Sequence, residues 1–372
     1  MATLLNFGQP APWFHAPALA GNPNFAFNTA GGHYVLMLFY GSAAHPAAQQ
    51  ALAQVQANRA LFDDDRACFF GVTIDRSDEA DGRIAAAVPG IRHFLDYDRK
   101  ISAMYGALPD PEKPDAYLPH WVLLDPALRT LAVMPVADGE KIFAQLRQLA
   151  AQPMPQGHAP VLVIPRVLEP ELCRHLIQLY DAGGGTESGF MREEDGMTVL
   201  RRDYTHKRRS DFEIVDEDLR KTINRRIIRT LVPAIQRAFQ FHVTRIERWT
   251  VACYDSSVGG YFRPHRDNTT KGTAHRRFAC TINLNAEEYE GGELRFPEFG
   301  RASYRAETGG AVVFSCSLLH EATPVRTGRR YAFLPFFYDD AAARIRAENS
   351  KYLSEDVAAY ADKPREESEA AE

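Results

Sequence analysis

Two domains are predicted: an α/β domain, then an all-β domain of sandwich or jelly-roll type. Three observations predict them. The chain has 372 residues, and a domain usually takes ~100–200. The first half alternates apolar strand-like runs with a helical run, the pattern of an α/β sandwich. The second half carries short strands divided by Gly, Pro and Asn. Between them, Gln152 to Pro160 holds three prolines and reads as a semi-rigid linker. The expected division is 1–152, linker 153–160, second domain 161–340 and a charged tail 341–372.

Each element has a local reason. His33 to Tyr40 (HYVLMLFY) is a continuous apolar run typical of a buried strand, and Ala47 to Leu61 is an Ala/Gln-rich helix. Ala67 to Asp75 is again strand-like. Trp121 to Asp125 and Thr130 to Met134 form a hairpin about the Pro126 turn, and Lys141 to Ala151 closes the domain as a helix. The second half opens with a strand at Val161 to Ile164. A helix follows from near Pro170, where proline suits the first turn, and the glycines at 183–185 stop it. Thr186 to Ser210 is charged and poorly periodic and is expected to be a long loop. Asp218 to Phe239 is an amphipathic helix, and strands begin at Val243. The Ala/Glu/Lys-rich tail after Asp340 is expected to end disordered.

Composition narrows the function. Hydrophobic residues at 45% and charged residues at 24% are those of an ordinary globular protein. A net charge of −5 argues against a broadly basic nucleic-acid binder. No apolar run reaches the ~18 residues of a membrane helix, and no basic segment precedes an apolar core at the N-terminus, so neither membrane anchor nor secretory signal is expected. Five widely spaced cysteines without a CxxC pair argue against a disulfide framework or a cysteine zinc site. They fit a reducing cytoplasm.

The chemistry concentrates in the second half. His265 and Asp267 stand two apart on a predicted strand, so both side chains leave the same face and can meet one ion. In a chain with 12 His, chance alone supplies such a pair. His320 changes the weight: it follows the apolar strand Gly310 to Phe314, and Arg330 comes ten positions later at the head of another strand. Two His and one carboxylate make a three-ligand face with open positions, the arrangement of non-haem Fe(II) oxygenases. A zinc hydrolase more often uses three His, or two His and a Glu.

The stretches VACYDSSVGGYFRPHRDN (251–268), CTINLNAEEYEGGELRF (280–296) and HEATPVRTGRRYAFLPFFYD (320–339) resemble the prolyl 4-hydroxylase-like branch of the Fe(II)/2-oxoglutarate-dependent dioxygenases. The resemblance covers about residues 160–340 and implies a double-stranded β-helix. It implies His265, Asp267 and His320 as iron ligands, Arg330 as the partner of the far carboxylate of 2-oxoglutarate, and Tyr254 and Asn283 as further co-substrate contacts. It also implies hydroxylation by O2 with release of succinate and CO2, with ascorbate as a candidate reductant. Arg suits its role because its planar fork pairs a carboxylate bidentately at depth. Arg329 and Arg330 are strand neighbours, so only one of them can face the site. The prime substrate, a small molecule or a protein, is left open; a prolyl residue and a free amino acid both qualify.

Two basic segments are read conservatively. His275, Arg276 and Arg277 are expected to be solvated loop or strand-edge residues. The run Arg201 to Arg209 is expected to be a solvated loop, with a substrate lid as the functional alternative.

In the first half, GQPAPWFHAPAL (8–19), HYVLMLFYGSAAHPAAQQAL (33–52), FFGVTIDRSDE (69–79) and YLPHWVLLDP (117–126) resemble a peroxiredoxin domain of the thioredoxin fold, which implies a cis peptide before Pro119. Where that family has proline, threonine and the peroxide-attacking cysteine, this chain has Gly41, His45 and Ala48. A helix N-terminus activates a thiolate by lowering its pKa, and Ala48 offers none. Cys68 is read as an apolar filler of a buried strand. The domain is therefore expected to dock, dimerise or present substrate; a homodimer would form through it. The competing functions are a thiol-dependent peroxidase and a jelly-roll binding module without turnover.

Overall fold

The computed structural model describes residues 3–20, 24–108 and 116–360. The chain divides into two compact units, one of residues 1–158 with 296–302, the other of 159–295 with 303–372.

The first unit is built on a five-stranded sheet. Its order is Ile91–Leu95, Ala67–Thr73, Tyr34–Gly41, His120–Leu124, Thr130–Pro135. The first three strands are parallel and the last two antiparallel. The central strands are buried on both faces, which is why they read as unbroken apolar runs. Alternate residues serve opposite faces. Leu36, Leu38, Tyr40 and Phe69 pack on the helices Pro46–Ala57 and Gly139–Ala150 through Ala48, Ala51, Val55, Ile142, Phe143 and Leu146. Val35, Met37, Phe39, Cys68, Phe70 and Val72 pack on the other side with Ile101 and Tyr105. Among the described residues the one cis peptide precedes Pro89; the bond before Pro119 is trans, contrary to expectation.

The second unit stacks two antiparallel sheets. The larger runs Arg245–Glu247, Phe336–Tyr338, Phe278–Asn283, Arg329–Phe333, Thr250–Asp255, Ser210–Glu213, Thr186–Glu187, with Ala311–Ser315 and Val161–Ile164 added beside Phe278–Asn283. Its outer face is covered by the helices Pro170–Gly183 and Glu217–Phe239, whose Cys173, Leu176, Ile223, Ile227, Leu231 and Ile235 recur at helical spacing and are buried. Asp216 caps the second helix by accepting from the Leu219 N–H at 2.7 Å. The smaller sheet runs Lys207–Arg208, Tyr261–His265, His320–Ala322, Leu294–Arg295, Ser303–Tyr304. Period-two alternation divides the larger sheet's side chains between its faces. Val251, Cys253, Tyr331 and Phe333 join the helix-side core, while Ala252 and Tyr254 join the cluster on the opposite face with Phe262, Tyr289, Ala322 and Val325.

Two expectations change here. Thr186 to Ser210 is not a long loop: Phe190–Glu194 and Met197–Arg201 form a hairpin, and Lys207–Arg208 adds to the strand that carries His265. Over 207–209 the alternation was masked because the inward Lys207 and Arg209 and the outward Arg208 are all basic. After Asp340 the chain forms the helix Asp340–Asn349 and packs onward to Val357, which is fully buried; the expected disordered end falls outside the described residues. Among the described residues no helix is long and apolar enough to cross a membrane.

Candidate metal centre

His265 and His320 lie directly opposite each other on neighbouring strands of the smaller sheet. Asp267 follows two residues after His265, where its N–H donates to the Cys316 carbonyl at 3.0 Å. One ligand atom from each of the three residues falls within 4.8 Å of the others. Asp267 Oδ1 is 3.6 Å from His265 Nε2, and Oδ2 is 3.3 Å from His320 Nε2. Donors sharing one ion at right angles stand about 3 Å apart, so a small inward adjustment would let all three bind it. The ring tautomers agree. His265 Nδ1 donates to the Arg263 carbonyl at 2.7 Å and His320 Nδ1 to the Leu318 carbonyl at 3.0 Å, which leaves each Nε2 lone pair facing Asp267.

Electrostatics prepare the same forms. Burial, reinforced by His320, pushes His265 down to about 4, so it is the neutral imidazole that a metal ion would need. Burial penalises the Asp267 carboxylate, yet the positive charge the two imidazoles carry when protonated, His320 foremost, holds it well below the usual carboxylate range. Phe262 stacks on His265 with centroids 3.5 Å apart and Phe314 lies 4.6 Å from His320, so apolar rings fix both imidazoles. Asp255, the neighbouring carboxylate, is engaged elsewhere, pairing with Arg329 at 3.1 Å.

The larger sheet supplies the facing wall. Tyr254 and Arg330 are register partners on adjacent strands. Arg330 is 2% exposed while Arg329 points to solvent. The Arg330 guanidinium lies 5.0 Å from the Tyr254 ring centroid and donates from Nη2 to Thr281 Oγ1 at 2.9 Å. Among the described residues no carboxylate pairs with it. Gly292 has φ +68, and a side chain there would meet Arg330 Cδ at 2.9 Å; the glycine gives that arginine its room. Asn283 is buried and donates through Nδ2 to the Ala306 carbonyl at 2.7 Å. Its Oδ1, the Tyr289 hydroxyl and Arg330 Nε are buried without a hydrogen-bond partner among the described residues. These orphaned polar atoms and an unpaired guanidinium fit a polar, anionic occupant.

Several site residues escaped the sequence. Lys207 and Arg209 are buried while Arg208 between them is exposed. Arg209 donates from Nη1 to the Tyr254 hydroxyl at 3.4 Å. The His206 ring lies 4.6 Å from Phe190 and 6.4 Å from His265. A one-in, one-out strand was the available signal, hidden in a run that is basic throughout. The adjacent basic stretch also corrects an expectation. His275 and Arg276 are not solvated: both are buried and both bind the buried Glu247, Arg276 at 2.6 Å, with the guanidinium 4.0 Å from the Phe336 centroid. A third charge far upstream made their burial affordable.

In the first unit, Ala48 sits in the first turn of the helix Pro46–Ala57, and Cys68 lies on the opposite face of the sheet from that helix. Burial raises the Cys68 thiol well above its ordinary value. Just ahead of the helix, the Ala43 N–H donates to the fully buried Asp78 carboxylate at 2.9 and 3.1 Å, which is also held by Thr73 at 2.5 Å and Arg83 at 2.8 Å. No thiol stands at that helix N-terminus, and the other four cysteines are also buried.

Residues 249–338 match the 2OG-Fe(II) oxygenase superfamily, and residues 7–130 match the AhpC/TSA family. A PKHD-type hydroxylase of Synechococcus sp. (strain JA-2-3B'a(2-13)) is 27% identical over 118 residues, 29% of this chain and 52% of that protein. One from Azoarcus sp. (strain BH72) is 36% identical over 89 residues, 22% of this chain and 38% of its own length. The chain thus spans about half or less of the curated relatives it matches. Among solved structures, a prolyl hydroxylase of Trichoplax adhaerens in complex with a hypoxia inducible factor peptide fragment is 19% identical, with 51% of this chain and 86% of that chain covered and a TM-score of 0.41. Mycobacterium tuberculosis AhpC is 20% identical, with 40% and 93% covered and a TM-score of 0.33. The chain thus joins a thioredoxin-fold domain that matches the AhpC/TSA family, with Ala48 in the first turn of its helix Pro46–Ala57, to a double-stranded β-helix domain that matches the 2OG-Fe(II) oxygenase superfamily.

Proposed function

We propose that the protein is an Fe(II)- and 2-oxoglutarate-dependent oxygenase that hydroxylates a prolyl residue or a free amino acid. The observation that carries this reading is the pairing of two features across one interior: the converging His265, Asp267 and His320, and the buried Arg330 that lacks a carboxylate partner. When bound, ferrous iron couples the oxidative decarboxylation of 2-oxoglutarate by O2 to hydroxylation of a C–H bond. The chain's residues do the rest. His265, Asp267 and His320 would hold the ion and leave adjacent positions open. Arg330, oriented by Thr281 and braced on the Tyr254 ring, would bind the far carboxylate of the co-substrate. Asn283 Oδ1 and the Tyr289 hydroxyl offer further polar contacts, and Phe262, Ala322 and Val325 exclude water. The hydroxylase name of the curated relatives agrees with this reading. The oxygenase work is assigned to residues 161–340, while 1–152 serves a non-catalytic role such as docking or dimerisation.

The test is succinate formation from 2-oxoglutarate in air with Fe(II) and ascorbate, with soluble cell extract as the source of substrate. His265→Ala, Asp267→Ala and His320→Ala should each abolish it while the chain stays folded by circular dichroism. A ligand variant that keeps wild-type iron affinity and rate would remove that residue from the centre; absence of iron-dependent 2-oxoglutarate binding in the wild type would end the reading.

A further inference from the structure

Beside the metal centre lies a second surplus of positive charge, separate from Arg330. Lys207 is 5% exposed and lies on the strand paired with Tyr261–His265, its register partner being Phe262. Its ammonium is 4.7 Å from the centroid of the Phe262 ring, the ring that stacks at 3.5 Å on His265. One aromatic ring therefore separates the lysine from a metal-ligating imidazole.

The acceptors around Lys207 are neutral. Nζ donates to Ser188 Oγ at 2.8 Å and to the Gly189 carbonyl at 2.5 Å. An ammonium has three donors, and no third acceptor stands within reach among the described residues. The nearby carboxylate, Asp211, is already committed. It pairs with Arg209 at 2.7 Å and Arg248 at 3.1 Å and accepts from Ser188 at 2.6 Å. Three basic groups, Lys207, Arg209 and Arg248, thus gather around Asp211, and the other carboxylate that acts on Lys207 is Asp267 of the metal face. Burial, with Arg209 next, holds the Lys207 ammonium well below the usual lysine range. An uncompensated buried charge is costly, and an apolar side chain could fill the same wall without that cost.

We propose that Lys207 binds a carboxylate of the prime substrate, which makes that substrate a small carboxylic acid, such as a free amino acid, rather than an internal residue of a protein. The inference rests on the oxygenase reading above and sharpens it. The co-substrate is served from the other sheet, by Arg330, and by the metal face; Lys207 lies on the metal strand's own sheet, beyond Phe262. A phosphate fits poorly because it presents three oxygens where one ammonium donor is on offer. His206, half-buried between Phe190 and Phe262, would flank the same substrate.

The experiment uses the full chain and two variants, Lys207→Met and Lys207→Arg. Calorimetric titration of 2-oxoglutarate into the anaerobic Fe(II) protein comes first, and affinity should stay within about twofold in both variants. Succinate release in air is then measured with each standard L-amino acid and with its α-carboxamide. In the wild type at least one free acid should exceed its amide by about tenfold or more in kcat/KM, the loss of one charge-assisted hydrogen bond. Lys207→Met should bring the acid down to the amide's level, and Lys207→Arg should restore part of the preference. The proposal is overturned if no acid is preferred in the wild type or if Lys207→Met keeps the preference. It is equally overturned if Lys207→Met loses 2-oxoglutarate affinity while Lys207→Arg retains it, which would place the lysine at the co-substrate. Failure of the wild type to bind 2-oxoglutarate would instead bring down the oxygenase reading, and this inference with it.

Discussion

Replacing Arg330 with methionine should move two quantities in opposite directions. Arg330 is 2% exposed, and its guanidinium hydrogen-bonds a neutral hydroxyl, that of Thr281. In the absence of co-substrate it is a buried charge without a counter-ion, so an apolar residue of similar length should leave unfolding stability equal or raise it. With 2-oxoglutarate the sign reverses. A hydrogen bond to a charged partner is worth about 1.5–3 kcal/mol, and each ~1.4 kcal/mol is tenfold, so affinity should fall about 10- to 150-fold. Arg329→Ala is the control: its side chain is 56% exposed, pairing with Asp255 at 3.1 Å and Asp181 at 3.8 Å, and exposed pairs contribute about 0–1 kcal/mol. Titration calorimetry on the anaerobic Fe(II) protein reads the affinity, and the urea midpoint without ligand reads the stability. Unchanged affinity in Arg330→Met, or an equal loss in Arg329→Ala, would refute the assignment of Arg330 to the co-substrate.

Three further outcomes follow from particular contacts. Glu247→Ala leaves His275 and Arg276 buried without their carboxylate and should cost about 3–5 kcal/mol in urea unfolding; a loss well under 1 kcal/mol would show that the triad carries little. Thiol-driven peroxide consumption should be negligible, and Cys68→Ser should not change it, since Cys68 faces away from the helix Pro46–Ala57; robust activity abolished by that substitution would reverse the reading. Burial pushes His93 down to about 4, so it is neutral when folded, whereas the unfolded chain protonates near 6.5. Its contribution is intact above pH 6.5 and is lost as the pH falls towards 4, and His93→Gln should lower the stability slope between pH 4.5 and 6 by about one proton, ~1.4 kcal/mol per pH unit. An unchanged slope would show that His93 does not titrate in that window.

Short-range patterns were legible because they depend only on backbone geometry. The i, i+2 spacing of His265 and Asp267 keeps the two side chains close enough to meet one ion, although the strand ends at His265 and Asp267 lies in the turn that follows rather than on the predicted strand. Strand alternation separates Arg329 from Arg330, and Pro170 and Gly184 bracket a helix by their own φ preferences. Alternation, however, says that two faces differ and not which becomes interior. That choice depends on partners distant in the chain: Lys207 faces inward because it registers with Phe262, and Cys68 faces away from the helix Pro46–Ala57 because Phe69 takes the side facing it. Charge made the ambiguity worse. A buried Arg or His looks solvated until its counter-ion is known, and Glu247 lies 28 and 29 positions from His275 and Arg276. Local sequence therefore determined the ligand spacing and the elements outside 186–210 and the helix Asp340–Asn349. Only the tertiary structure decided which charges are paired, and which, like Arg330 and Lys207, have no carboxylate partner among the described residues.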